Sequence, residues 1–139
     1  MLHVYNEIAA SFTARVFLGL LFFFQGYDAV FRVKVKGVIE AFEYPAGLKH
    51  LGFLLVPAAY YTSYVELVGG LFLTAGLCRD YALYLLGTDI LIASVAFGIV
   101  RPMWDMKYVF PRLALLLFLL VIPSEWDVIS LDHYLLHIK

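Results

Sequence analysis

The sequence predicts an all-α membrane protein: four antiparallel transmembrane helices in a bundle, with an interfacial segment between the first and the second. Three observations carry that expectation. Hydrophobic residues make up 63% of the chain and charged residues only 15%. The mean hydropathy is +0.87, above what a water-soluble domain of 139 residues carries. Four apolar stretches approach the ~20 residues with which a helix crosses a ~30 Å hydrocarbon core.

The first stretch, residues 11–31, reads SFTARVFLGLLFFFQGYDAVF. The second, residues 54–78, places Pro57 where a first helical turn tolerates a missing N–H. The third, residues 81–100, reads YALYLLGTDILIASVAFGIV, and Pro102 follows it. The fourth, residues 108–122, reads YVFPRLALLLFLLVI, is short, and is followed by Pro123. The first connection is long and contains GVIEAFEYPAGLKHLG, where Val38, Ile39, Phe42 and Leu48 alternate with charges as in a segment lying on a membrane surface. The other two connections are short, which makes neighbouring helices antiparallel and puts both termini on one side. The whole chain, 1–139, reads as a single domain without internal repeats. Arg32, Lys34, Lys36, Lys49, Arg101 and Lys107 lie in the first and third connections, against Arg79 and Lys139 on the other side. The positive-inside rule then places those connections in the cytoplasm and both termini outside it.

Near-zero net charge without a basic stripe argues against nucleic acid as a partner. The lone Cys78 permits neither an internal disulfide nor a cysteine-rich metal site. The start, MLHVYNEIAASFTARVF, has no basic region and is read as retained. His133 and His137 stand four apart in SLDHYLLHIK, but HxxxH without a further ligand reads as an amphipathic helix rather than a metal site, so no metal is expected. Trp104 and Trp126 read as interface anchors.

Five ionisable residues fall inside the apolar stretches: Arg15, Asp28, Glu66, Asp89 and Arg112. A charge at the centre of a bilayer costs at least ~2.5–3.5 kcal/mol, so these side chains should face the bundle and one another. Matching depths at ~1.5 Å per residue suggests Arg112 with Asp28, and Arg15 with Asp89, Glu66 or both. Glu66 is the deepest, and three carboxyls against two arginines make it the candidate to exchange a proton. Two readings stand side by side: a polar network that locks helix register, or an acid with a chemical task, for which Glu66 is the catalytic candidate. Arg15, Gly19, Phe22 and Gly26 form one helical stripe, and Glu66, Gly69, Gly70 and Gly76 another, with Thr74 beside it. Small residues let backbones approach, so Glu66 should lie on a face packed against protein.

The stretches RVFLGLLFFFQGYDAVF, VELVGGLFLTAGLCRDYALYLL and VFPRLALLLFLLVIPSEWDVISLDHYLL resemble the spans and the closing motif of the DoxX-like family of small four-helix membrane proteins. The family's lysine after the second glycine is replaced here around Asp28 to Phe31, and PSEWDV stands where the family has a glycine–proline stretch. The resemblance implies a small integral subunit of a redox system linked to the quinone pool, in a bacterial inner membrane, since the family includes a subunit of a thiosulfate:quinone oxidoreductase. It equally implies the alternative of a non-enzymatic partner that assembles or stabilises another membrane protein; transport of a small molecule or lipid is a third reading. Whether the chain is itself an enzyme stays open. A quinone is the cofactor the resemblance suggests, and lipid, a protein partner or a second copy are the partners. Arg15, Glu66 and Asp132 occupy family motif positions.

Overall fold

The computed structural model describes residues 2–46, 52–100 and 106–137, and every described element is helical. Helix α1 (Leu2–Tyr27) begins well before the predicted span, because LHVYNEIAA holds no glycine or proline that would stop it. It runs on into a π-helical turn, Asp28–Arg32. Lys34, at φ 62°, breaks the axis and starts α2 (Lys34–Ala46). Val35 is buried there, Val38 and Ile39 are half-buried, and Lys36 and Glu40 are exposed, so α2 is amphipathic as its pattern predicts. Phe42, Leu48 and Lys49 fall outside the described side chains.

Helix α3 (Gly52–Ala75) starts two residues earlier than expected. Pro57 therefore sits inside it, not in its first turn, and the Phe53 carbonyl loses its usual i+4 donor. Pro111 occupies the equivalent place in α5 (Met106–Val121). Helix α3 ends in a Schellman cap: Leu77 N–H donates to the Phe72 carbonyl at 2.9 Å, Gly76 N–H to the Leu73 carbonyl at 3.1 Å, and Gly76 takes φ +69°. Helix α4 (Arg79–Val100) follows at once. After α5 come a 3-10 turn, Ser124–Trp126, preceded by Pro123 as expected, and α6 (Leu131–His137). Pro102, Arg101 and Trp104 lie outside the described residues.

Among the described residues, two helices are long and apolar enough to cross a membrane: the continuous run His3–Arg32, and Arg79–Ile99 within α4. Helix α3 has the length, at 24 residues, but Tyr60, Tyr61, Thr62, Ser63, Tyr64 and Glu66 interrupt its apolarity. Helix α5 is apolar but has only 16 residues.

Antiparallel packing of α1 on α3 is the tightest contact. A Cβ on Gly70 would lie 2.4 Å from the Phe23 backbone nitrogen, and one on Gly26 would lie 2.2 Å from that of Leu67. Both predicted small-residue stripes thus meet backbone to backbone. Leu18, Phe22, Leu73, Leu83, Leu86 and Leu119 fill the centre, and the half-buried Trp126 packs against that core. Phe17, Phe24, Tyr27, Tyr81, Leu91 and Val95 point outward and are exposed, a surface suited to lipid rather than water.

Candidate functional site

The five ionisable residues do not form one network. Helix register explains why. Gly76 lies against Arg15, Thr74 and Gly70 against Gly19, and Leu67 and Glu66 against Gly26. Glu66 is therefore ten residues, about 15 Å, along α3 from the level of Arg15, and the expected Arg15–Glu66 or Arg15–Asp89 pair does not form. Arg15 instead donates from Nε to Asp127 Oδ1 at 2.9 Å, and from Nη1 to the Leu73 and Thr74 carbonyls at 3.0 and 2.9 Å. Its Nη2 reaches the Ile129 carbonyl. The Leu73 and Thr74 carbonyls lie in the last turn of α3, where carbonyls have acceptor capacity to spare and a cation is favoured.

The expected Arg112–Asp28 pair is also replaced. Asp28 bonds Arg32, four residues on, at 3.1 Å, with both side chains at least half exposed; the local helical partner is nearer than any on another helix. The Arg112 guanidinium stands 5.8 Å from the centre of the Phe22 ring and within electrostatic reach of both Glu66 and Asp89.

Glu66 and Asp89 do come together. Both are buried, at 5% and 1% exposure, and both line a cavity of about 280 Å³ between α1, α3 and α4, with α2 at its edge. Gln25 enters from α1 and donates from Nε2 to Glu66 Oε1 at 2.6 Å. Apolar walls come from Leu55, Ala59, Ile92, Ala96 and Phe97, and Asp28 and Val33 also line the cavity. Asp89 Oδ1 is buried and has no hydrogen-bond partner among the described residues. An unpaired buried carboxyl oxygen is costly in protein and more so in lipid, so a lining residue with such an oxygen marks this cavity as the candidate site.

At the opposite end of α3, Asp127 lies between Arg15 and Arg79. Arg79 Nε stands 3.9 Å from Asp127 Oδ2, and its Nη2 donates to the Leu119 carbonyl. Asp132 Oδ2 accepts from the Arg79 backbone N–H at 3.2 Å, at the start of α4, and Asp132 N–H donates to the Gly76 carbonyl at 3.0 Å. This cluster latches the C-terminal segment onto the bundle. His133 packs into the same region, its N–H donating to Ser130 Oγ.

Gln25 and Asp127 were not singled out from the sequence. Gln25 had a signal, a polar residue amid FFFQG beside a packing glycine. Asp127 had none, since PSEWDV reads as an ordinary loop.

The sequence pattern of the DoxX family matches residues 10–99. The chain belongs to the DoxX family. The matched stretch carries α1 to α4 and with them Gln25, Asp28, Glu66 and Asp89, whereas the closing stretch from Val109, also read as similar to the family, lies beyond it. No curated protein and no solved structure matches the chain.

Proposed function

We propose that this DoxX-family protein is a small integral subunit of a redox system linked to the quinone pool, and that the cavity floored by Glu66 and Asp89 is where a quinone-class ring is held. The single observation that carries this reading is the cavity itself: a largely apolar space between α1, α3 and α4, with α2 at its edge, lined by two buried carboxyls of which one has an unpartnered oxygen. A dry, fully packed bundle would have favoured the alternative of a purely structural assembly partner. A flat ring with polar substituents suits apolar walls and a few fixed polar groups. When bound, a quinone supplies a two-electron, two-proton carrier. The chain's own contribution is to seat the ring against Phe97 and Ile92, keep bulk water out, and offer Glu66 and Asp89 as proton-exchanging groups.

The same reading takes α1, α3, α4 and α5 as four spans of a single domain, 1–139, in a bacterial inner membrane, with α2 on the membrane surface and both termini outside the cytoplasm. Support comes from the exposed aromatic and aliphatic exterior and from the lysine and arginine distribution. Tilt and local bilayer thinning accommodate the short α5. In cells lacking the native chain, Glu66→Gln should be made and inserted normally yet fail to restore electron flow into the quinone pool. Gln preserves shape and hydrogen bonding but cannot exchange a proton. Full restoration by that variant would exclude the role proposed for Glu66.

A further inference from the structure

We infer that the cavity recognises its occupant by accepting hydrogen bonds from it, so that it holds the hydroxyl-bearing, reduced form of a quinone-class ring in preference to the carbonyl-bearing, oxidised form. That the ring is quinone-class rests on the reading above; the rule that the occupant must donate rests on the cavity alone.

The donors and acceptors along its wall can be matched one by one. Most of the side-chain donors already have partners inside the protein, although the Gln25 amide spends only one of its two Nε2 hydrogens on Glu66. Thr62 and Ser63 both donate to the Ala59 carbonyl, at 3.2 and 2.7 Å, and Gln25 donates to Glu66 at 2.6 Å. The described lining residues include no lysine, arginine or histidine. What remains open is chiefly acceptor capacity: above all Asp89 Oδ1, which is buried and without a partner among the described residues, beside the Glu66 carboxyl, whose Oε1 accepts from Gln25. A proton shared by the two carboxyls and the second Gln25 hydrogen would together supply two donors and still leave acceptors in excess. A quinone ring has two carbonyl oxygens and nothing to donate, so it would face Asp89 acceptor to acceptor. A hydroquinone has two O–H groups and completes the site. An acceptor left unsatisfied on burial weakens binding.

The test is binding, measured by isothermal titration on the full-length chain in mild detergent under nitrogen. Its probes are durohydroquinone, duroquinone and the dimethyl ether of durohydroquinone. All three keep the same ring, and full substitution prevents addition to the exposed thiol of Cys78. Durohydroquinone should bind about tenfold or more tightly than duroquinone, and the diether, stripped of donors, should bind no better than duroquinone. Asp89→Asn replaces an acceptor with a donor-bearing amide, so it should weaken hydroquinone binding and strengthen quinone binding. A misfolded variant would lose both, and the probe series on the unaltered chain decides the question without it. Equal affinity for duroquinone and durohydroquinone would overturn the donor rule and leave the quinone-linked reading standing. Binding of phenethylammonium, a donor on an apolar body, with no binding of any duro compound would do the reverse. No binding of any probe would overturn both.

Discussion

At the scale of single residues, two arginine–aspartate pairs show how position decides worth. Arg15 is 1% exposed and joins α1 to Asp127, to the end of α3 and to the segment after the 3-10 turn. Arg15→Ala would leave Asp127 buried with only the more distant Arg79 beside it, a change of the kind that costs about 3–5 kcal/mol. Thermal unfolding in detergent should show a large drop in midpoint and a low yield of folded protein. Arg15→Lys should recover little, because one ammonium cannot span four acceptors set around a planar fork. Arg32 and Asp28 form an exposed pair, and exposed pairs contribute ~0–1 kcal/mol. Arg32→Ala should leave the midpoint nearly unchanged. A midpoint drop for Arg32→Ala as large as that for Arg15→Ala would contradict this assignment.

Among the elements, the seam between α1 and α3 controls the cavity, because Gln25 and Glu66 meet across it. The close approach exists only because Gly19, Gly26 and Gly70 have no side chains. At Gly70 an added Cβ would meet backbone on both Phe23 and Gly19, at 2.4 and 2.8 Å, and backbone cannot swing aside as a flexible side chain can. Gly70→Ala should therefore push α1 away from α3, stretch the Gln25–Glu66 bond, and lower stability by roughly 1–3 kcal/mol, as overpacking does. Gly98 has open space around its position, so Gly98→Ala is the matched control and should be neutral or slightly stabilising through better helix propensity. Parallel melting curves of the two variants check both expectations.

For the whole molecule, sidedness is the quantity to measure, and the chain carries its own reporter. Cys78 is exposed at the turn between α3 and α4, at the same end as the C-terminal latch. With both termini outside the cytoplasm, a membrane-impermeant maleimide should label Cys78 in intact spheroplasts. Lys107, exposed at the start of α5, lies at the opposite end. A Cys78→Ser, Lys107→Cys variant should label only after lysis. The reverse pattern would invert the orientation.

Composition and periodicity set the helical class, the approximate limits of the helices, the amphipathic character of α2 and the two small-residue faces. Each depends on local composition and on a period of 3.6 residues, which neighbouring residues alone can express. The sequence also marked Glu66 as a buried acid on a packed face, since an acid beside Gly69 and Gly70 in an apolar run has nowhere else to go. Tertiary structure alone decided who meets whom. Depth matching paired Arg15 with Glu66 or Asp89, but helix α1 starts at Leu2 and its glycine register sets Arg15 against the end of α3, where Asp127 arrives from over a hundred residues away. Asp28 found Arg32 because a neighbour on its own helix needs no register at all. The meeting of Glu66 with Gln25, and the free oxygen of Asp89 in the same cavity, depend on how three helices are offset along their axes. That offset is set by contacts between distant stretches, and no local pattern in any one of them encodes it.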